Sequence, residues 1–402
     1  MNKPPNRVNP DFSSQLFQEN LYQHYRNYLQ ATPVFCSDEG VIYLTRYSDC
    51  LELLSNQRFR RLPSATGSSP FSDAQRIQTP LDEMISQWMI FMDPPRHDLV
   101  RRGFMQPFGA KAIKQLEPTI QAYVRQLLNA FPSNEEVEFL QSFAYTLPIL
   151  VIAKILGVPE TDIDIFRSWS LLLTQSLDSG SEEDIRKGAE VALLFKDYFK
   201  KLLSERHNLS PDSLINTLSD NQSINLSADE LLYGYVFLLW AGHETTKNLI
   251  ANGMQLLAEH PAQLLRLQQQ PDLIDNAIDE MLRFDSPLQK ISRWSHEDIK
   301  FGEYFIPRGS MLTALIGAAN RDESVFNEPD KFDIGRLKNR HIAFGSGIHH
   351  CLGAILAKTE ARVAFSEIVP RLLSLEPAQH TWRTFSAFRS MEQLSIKVTF
   401  KC

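Results

Sequence analysis

Phe344-Gly345-Ser346-Gly347-Ile348-His349-His350-Cys351-Leu352-Gly353 is the stretch on which the reading of this chain turns. Two glycines and a serine read as a tight loop, and residues 352–365 turn to a helical pattern. Cys351 is therefore expected at a helix N-terminus, where free backbone N–H groups and the helix dipole favour an anion. Such surroundings stabilise a thiolate. Gly347 and Gly353 let backbone or a cofactor approach closely. The cysteine is prepared to act as a metal ligand or a nucleophile. A cysteine and a glycine alone would fit a small buried hydrophobe beside a turn, but the full F-x-x-G-x-x-x-C-x-G string favours function. Zinc held by His349, His350 and Cys351 is disfavoured, because adjacent residues rarely share one zinc and no second ligand pair stands at zinc-site spacing.

Upstream, Ser227 and Glu230 have the spacing of a capping box, which predicts a helix start. The helical pattern continues to Glu259, and Pro261 marks its stop. At 1.5 Å per residue this helix is roughly 48 Å long. Residues 233–240 are apolar on every face and should be buried. Next comes Ala241-Gly242-His243-Glu244-Thr245-Thr246. A glycine inside a helix costs about 1 kcal/mol relative to alanine. A buried acid and two alcohols are also unfavourable unless paired or near water. A local opening of the helix over a cofactor would explain this weak polar point, with Glu244 and Thr245 delivering protons to a bound oxygen species. A kink filled by structural water is the plainer alternative.

Two further strings carry charge. Glu280-Met281-Leu282-Arg283 puts an acid and a base on one helix face, an arrangement that is usually solvated and worth little. Asp93-Pro94-Pro95-Arg96-His97-Asp98-Leu99-Val100-Arg101-Arg102 opens a helix near Pro95, with His97 and Arg101 one turn apart. Two donors on one face can hold a pair of carboxylates. A basic surface helix fits the same residues.

Bulk properties bound these readings. With 43% apolar and 22% charged residues, the composition is that of an ordinary globular protein. The net charge of −7 leaves no dominant basic field, which argues against nucleic acid as the main partner. No run reaches about 18 uninterrupted apolar residues, and the polar N-terminus lacks an apolar signal core, so a cytoplasmic chain without a membrane anchor is expected. Cys36, Cys50, Cys351 and Cys402 include no CxxC, so no disulfide framework is expected. Cys36 and Cys50 read as small buried hydrophobes, and Cys402 as an irrelevant terminal residue. Without repeats or linkers, the chain reads as a mainly α fold, one large helical domain over 1–402 with small marginal β-sheets. Helical patterning dominates from about Pro95. Strands are expected at 41–43, 299–301, 311–316 and 394–400, and an irregular loop at 62–79 that either covers a pocket or lies on the surface.

Together these strings resemble the cytochrome P450 superfamily, in its soluble bacterial class. Phe332-Asp333-Ile334-Gly335-Arg336 is similar to the family's FDIxR segment. The resemblance spans nearly the whole chain. It implies heme b (iron protoporphyrin IX), with the long helix over the haem and Cys351 as proximal axial ligand, whose thiolate favours O–O cleavage. His97, Arg101, Arg293 and His349 match propionate-binding positions. Phe344, Gly345, Gly353 and Ala241 match positions against the haem. Glu280, Arg283 and Arg336 match a buried structural charge triad that locks the proximal side, and Gly242, Glu244 and Thr245 an oxygen-binding and proton-relay groove. Glu244 stands where aspartate is frequent. His350 replaces a usually apolar residue and is placed to tune the thiolate. Trp240 matches a position that either faces substrate or packs.

The implied function is a monooxygenase that hydroxylates or epoxidises a small lipophilic or natural-product-like substrate. No G-x-G-x-x-G follows a predicted strand, so the electrons come from a separate ferredoxin or flavodoxin with its reductase, and NAD(P)H is used only indirectly. Arg96, Arg101, Arg102, Lys111 and Lys114 form a candidate docking face on a protein expected to be a monomer. Residues 62–92, 166–198, 237–240, 287–291 and 384–390 are expected to line the pocket. Oxidative coupling or dehydrogenation, peroxide-driven oxidation, and a haem sensor or carrier remain as alternatives.

Overall fold

The computed structural model describes residues 4–62, 79–131, 136–179, 181–220, 225–384 and 387–400. The chain is mostly helical with small sheets, as expected. Its backbone contacts divide into two compact units. The first comprises residues 1–67, 117–147 and 245–402, and the second residues 68–116 and 148–244.

All the described strands lie in the first unit. Six make one sheet in the order Asn6–Arg7, Val34–Cys36, Ile42–Leu44, Met311–Leu315, Lys290–Ser295 and Phe59–Arg60. Their inward side chains, with Leu53 and Leu54 of the helix Tyr47–Ser55, build a core around Val34, Leu44, Leu312 and Ala314. Leu372–Trp382, Met391–Phe400 and Glu136–Glu138 make a second sheet, and Ile299–Phe301 with Tyr304–Ile306 a hairpin. The expected strand at 299–301 is found unchanged, and those at 41–43, 311–316 and 394–400 with shifted ends. Seven of the described strands were not expected: Asn6–Arg7, Val34–Cys36, Phe59–Arg60, Glu136–Glu138, Lys290–Ser295, Tyr304–Ile306 and Leu372–Trp382. Lys290–Ser295 carries little β-branched sequence and is held by neighbours on both edges. Leu372–Trp382 contains Pro377, which removes a ladder donor, and its register slips between Pro377 and His380. Helices also precede Pro95, at Leu21–Ala31 and Tyr47–Ser55 among others. Cys50 is fully buried as expected, whereas Cys36 is only half-buried. Cys402 and residues 63–78 of the expected loop lie outside the described residues.

The second unit is helical throughout its described part. Its helix Pro80–Ser86 starts where Thr79 and Asp82 cap one another and Pro80 supplies a preset φ. The long helix runs over Ala228–Glu259. The Ser227 amide donates to Glu230 at 2.8 Å and the Glu230 amide to Ser227 Oγ at 3.2 Å, which is the expected capping box. The chain breaks at His260, and Pro261 opens the next helix. Among the described residues no helix is long and apolar enough to cross a membrane.

Candidate active site

Cys351 ends a turn that its own backbone closes. The Cys351 amide donates to the Phe344 carbonyl at 2.9 Å, and the Gly345 amide to the Ile342 carbonyl at 2.9 Å. Between them Gly347–His349 makes a single 3-10 turn. Gly347 has φ +68°, and a Cβ there would lie 2.7 Å from the Leu54 carbonyl oxygen, so both conformation and space demand glycine. The residue Cys351 is exposed. The helix expected from Leu352 begins instead at Ala354, with Gly353 as its cap. The reason lies in the hydrogen bonds: the Cys351 amide is taken by Phe344, and the Ala357 amide to the Gly353 carbonyl is the first helical bond. A Cβ on Gly353 would meet nothing within 4 Å, which leaves room there for a larger group.

The Glu280–Arg283 pair is fully buried, as the resemblance implies and unlike the usual solvated pair. Glu280 accepts from Arg283 Nε at 2.7 Å and Nη2 at 2.8 Å, from Arg336 Nε at 3.0 Å and from Asn339 Nδ2 at 3.0 Å. Arg283 Nη1 in turn donates to the Asn320 and Pro329 carbonyls. One carboxylate and two guanidiniums thus bind the Glu280 helix, Ile274–Phe284, to the segment that leads to the thiol.

The long helix does not open. It remains α-helical through Ala241–Thr246, contrary to the expected local opening. Its polar side chains find partners without breaking the helix: His243 Nδ1 lies 2.6 Å from the Leu239 carbonyl one turn back, and Lys247 sits over the Tyr145 ring. Gly242 answers a packing need, since a Cβ there would lie 2.8 Å from Ile152 Cγ1. Ala241, Gly242 and Thr245 are partly accessible, while His243, Glu244, Thr246, Lys247 and Asn248 are buried. The i, i+1, i+4 spacing places the accessible three on one face. Trp240 is buried, stacks on Trp88 at 5.2 Å and donates from Nε1 to Thr174 Oγ1 at 2.9 Å, which makes it a packed residue.

His97 and Arg101 share one face of the helix Arg96–Phe104, with His97 buried and its Nδ1 2.8 Å from Asp98 Oδ1. Arg293 is buried on Lys290–Ser295, and its Nη1 donates to the Ser292 carbonyl at 2.9 Å. His349 is half-buried and His350 exposed. Arg96, counted on sequence within a docking face, is instead clasped by Glu230 and so loses its free charge. Arg102, Lys111 and Lys114 are exposed. Among the segments expected to line a pocket, residues 287–291 and 384–390 do meet, through a bridge between Leu288 and Phe388.

Sequence reasoning missed Glu360. It is fully buried, and neither carboxylate oxygen has a hydrogen-bond partner among the described residues. Burial pushes its carboxyl well above the usual range. Its spacing with Leu356, Val363 and Ala364 on the buried stripe of the helix Ala354–Ile368 was the available signal.

Among the described residues no three His, Cys, Asp or Glu side chains converge as a metal-binding group. A metal held at Cys351 therefore brings its other ligands with it. A macrocycle with its own nitrogen ligands and anionic side groups fits a single thiolate, open space at Gly353 and the basic Arg293 and His349 of the same unit.

The model of the cytochrome P450 family matches residues 64–397. The biotin biosynthesis cytochrome P450 of Bacillus subtilis (strain 168) is 34% identical over 393 residues, covering 96% of this chain and 98% of that protein. The structure of P450BioI in complex with hexadec-9Z-enoic acid ligated acyl carrier protein superposes with a TM-score of 0.88 at 33% identity, covering 96% of this chain and 99% of that one. Myxobacterial cytochrome P450 CYP267B1 in complex with myristic acid gives 0.88 at 33% identity, covering 98% and 100%. Such a fold defines a haem-dependent monooxygenase, an oxidoreductase working through iron. The chain belongs to the cytochrome P450 family.

Proposed function

We propose that this chain, acting over 1–402 as one catalytic domain, holds heme b through the thiolate of Cys351 and inserts one oxygen atom into a small lipophilic substrate. The observation that carries this reading is the exposed Cys351 at the end of a turn locked by its own amide on Phe344. When bound, the haem supplies the reductive activation of dioxygen and the oxygen transfer. The protein's part is to hold and supply. His97, Arg101, Arg293 and His349 would hold the propionates. Phe344, Gly345, Gly353 and Ala241 would lie against the macrocycle. Gly242 and Thr245 offer an accessible face, and the Thr245 hydroxyl holds the proton that Glu244 brings to it.

The electrons come from NAD(P)H through a reductase and a ferredoxin or flavodoxin, acidic carriers that suit the exposed Arg102, Lys111 and Lys114. Fatty acids are the first substrates to try, because the relatives include one crystallised with an acyl carrier protein ligated to hexadec-9Z-enoic acid and one with myristic acid. The decisive experiment is Cys351→Ser. The variant should lose the thiolate-type ferrous–CO absorption and NAD(P)H-driven oxidation together. A serine protein that kept both would refute the reading.

A further inference from the structure

His341 lies outside every role assigned so far, yet both nitrogens of its ring are engaged. The Ala343 amide donates to His341 Nδ1 at 3.3 Å. With Nδ1 accepting, the ring N–H is on Nε2, which points at Asp279 Oδ1 at 3.3 Å. Asp279 belongs to the Glu280 helix and also takes Lys358 Nζ at 2.7 Å, from the helix that follows the thiol. Asp279 and Lys358 remain partly exposed, while the His341 side chain is 7% exposed. Its ring also contacts Phe344, with centroids 5.9 Å apart. Phe344 is the residue whose carbonyl takes the Cys351 amide. The neighbouring Ile342 amide is fixed as well, on Asn320 Oδ1 at 2.9 Å.

A continuous set of contacts therefore runs from the Glu280 helix through Asp279, His341 and Phe344 to the backbone of Cys351. We propose that His341 is a positioning residue for the thiolate: it anchors the segment before the glycine turn to Asp279 and so keeps the Cys351 sulfur in one orientation towards the iron. This rests on the reading of Cys351 as the axial ligand. The role is not catalytic, since His341 touches the turn and not the reacting atoms.

The test compares wild type with His341→Phe, which keeps a ring but no ring nitrogen, and His341→Asn, whose amide oxygen can still accept the Ala343 N–H. Each haem-loaded protein is reduced under CO. The conversion of the thiolate-type absorption to the form that has lost its thiolate is followed in time, beside a far-ultraviolet melting curve. In His341→Phe the conversion should be about tenfold faster, equivalent to ~1.4 kcal/mol, with the melting midpoint little changed. His341→Asn and Asp279→Asn should fall between. A purely structural role would lower the melting midpoint of all three variants and leave the conversion rate of the folded fraction alone, which would overturn the proposal. So would a wild-type rate in His341→Phe. If His341→Phe does not fold, the Asn variants decide by the same criterion. A wild-type protein with no thiolate-type absorption would overturn both this proposal and the reading of Cys351, whereas a sound wild type with indifferent variants would sink this proposal alone.

Discussion

Glu280→Gln removes one negative charge and almost no volume, so its effect measures what the buried cluster contributes. Glu280 and Arg283 are wholly buried, and the Arg336 side chain is 11% exposed. The substitution leaves two guanidiniums facing a neutral amide, with Arg283 out of reach of water. Breaking a buried pair in this way costs about 3–5 kcal/mol, because the remaining charge stays desolvated. Against a total stability of about 5–15 kcal/mol, that is a large share. The half-exposed pair of Arg362 with Glu117, at 2.8 Å, supplies the control, and Glu117→Gln should cost about 0–1 kcal/mol. Urea unfolding followed by tryptophan fluorescence reads both as shifts in midpoint, provided the slopes agree. The double variant Glu280→Gln/Arg283→Met should recover part of the loss, since the guanidinium out of reach of water is gone while Arg336 remains. Equal midpoints for Glu280→Gln and Glu117→Gln, or no recovery in the double variant, would refute the reasoning.

Gly242→Ala gains about 1 kcal/mol of helix propensity and loses about 1–3 kcal/mol by overpacking on Ile152, so the melting midpoint should stay level or fall; a clear rise would show that Ile152 yields freely. Glu360 has its carboxyl raised, so the folded state binds a proton more tightly than the unfolded chain, whose value is about 4.3. Stability should therefore decline as pH rises above that value, and Glu360→Gln should flatten the decline and be the more stable protein at neutral pH; parallel melting profiles between pH 5 and pH 8 (about the range a melt can cover) would contradict this. Arg102→Glu should slow reduction by the carrier protein about three- to tenfold at low salt and weaken its salt dependence, as expected of a rim charge; an unchanged rate and slope would remove this residue from the docking face.

What was legible in the sequence was whatever depends on spacing along one element. The capping box at Ser227, the stop at Pro261 and the pairing of Glu280 with Arg283 need only a few neighbouring residues to be read. The glycine turn before Cys351 is of the same kind, because a positive φ and a near backbone leave glycine no substitute at Gly347. Burial was legible where a run is apolar on every face, as at residues 233–240, but the spacing of the charged pair did not carry it. Nothing local distinguishes the Glu280–Arg283 pair from an exposed one, because the desolvation comes from Asn320, Pro329, Arg336 and Asn339, which are distant in sequence. The strand Lys290–Ser295 was missed for the same reason, as its order comes from the ladders on either side. The contact of His341 with Asp279 spans 62 positions and had no local trace.

The long helix shows where a correct local rule led to a wrong structural conclusion. Glycine, acid and alcohols inside a buried helix are costly, and an opened backbone was one way to relieve that cost. The structure relieves it differently. Gly242 admits Ile152, His243 turns back to the Leu239 carbonyl, and the ladder stays whole. What distinguishes this point is thus which face is accessible. Ala241, Gly242 and Thr245 stay partly open on a helix whose adjoining residues are closed on nearly every side. The absent Cβ of Gly242 is what lets Ile152 approach the helix. Under the proposed relay, Thr245 lies on the partly open face, and Glu244, its neighbour in sequence, is buried. A helix that had unwound would let these two residues turn independently, whereas a continuous one fixes the angular offset between their side chains.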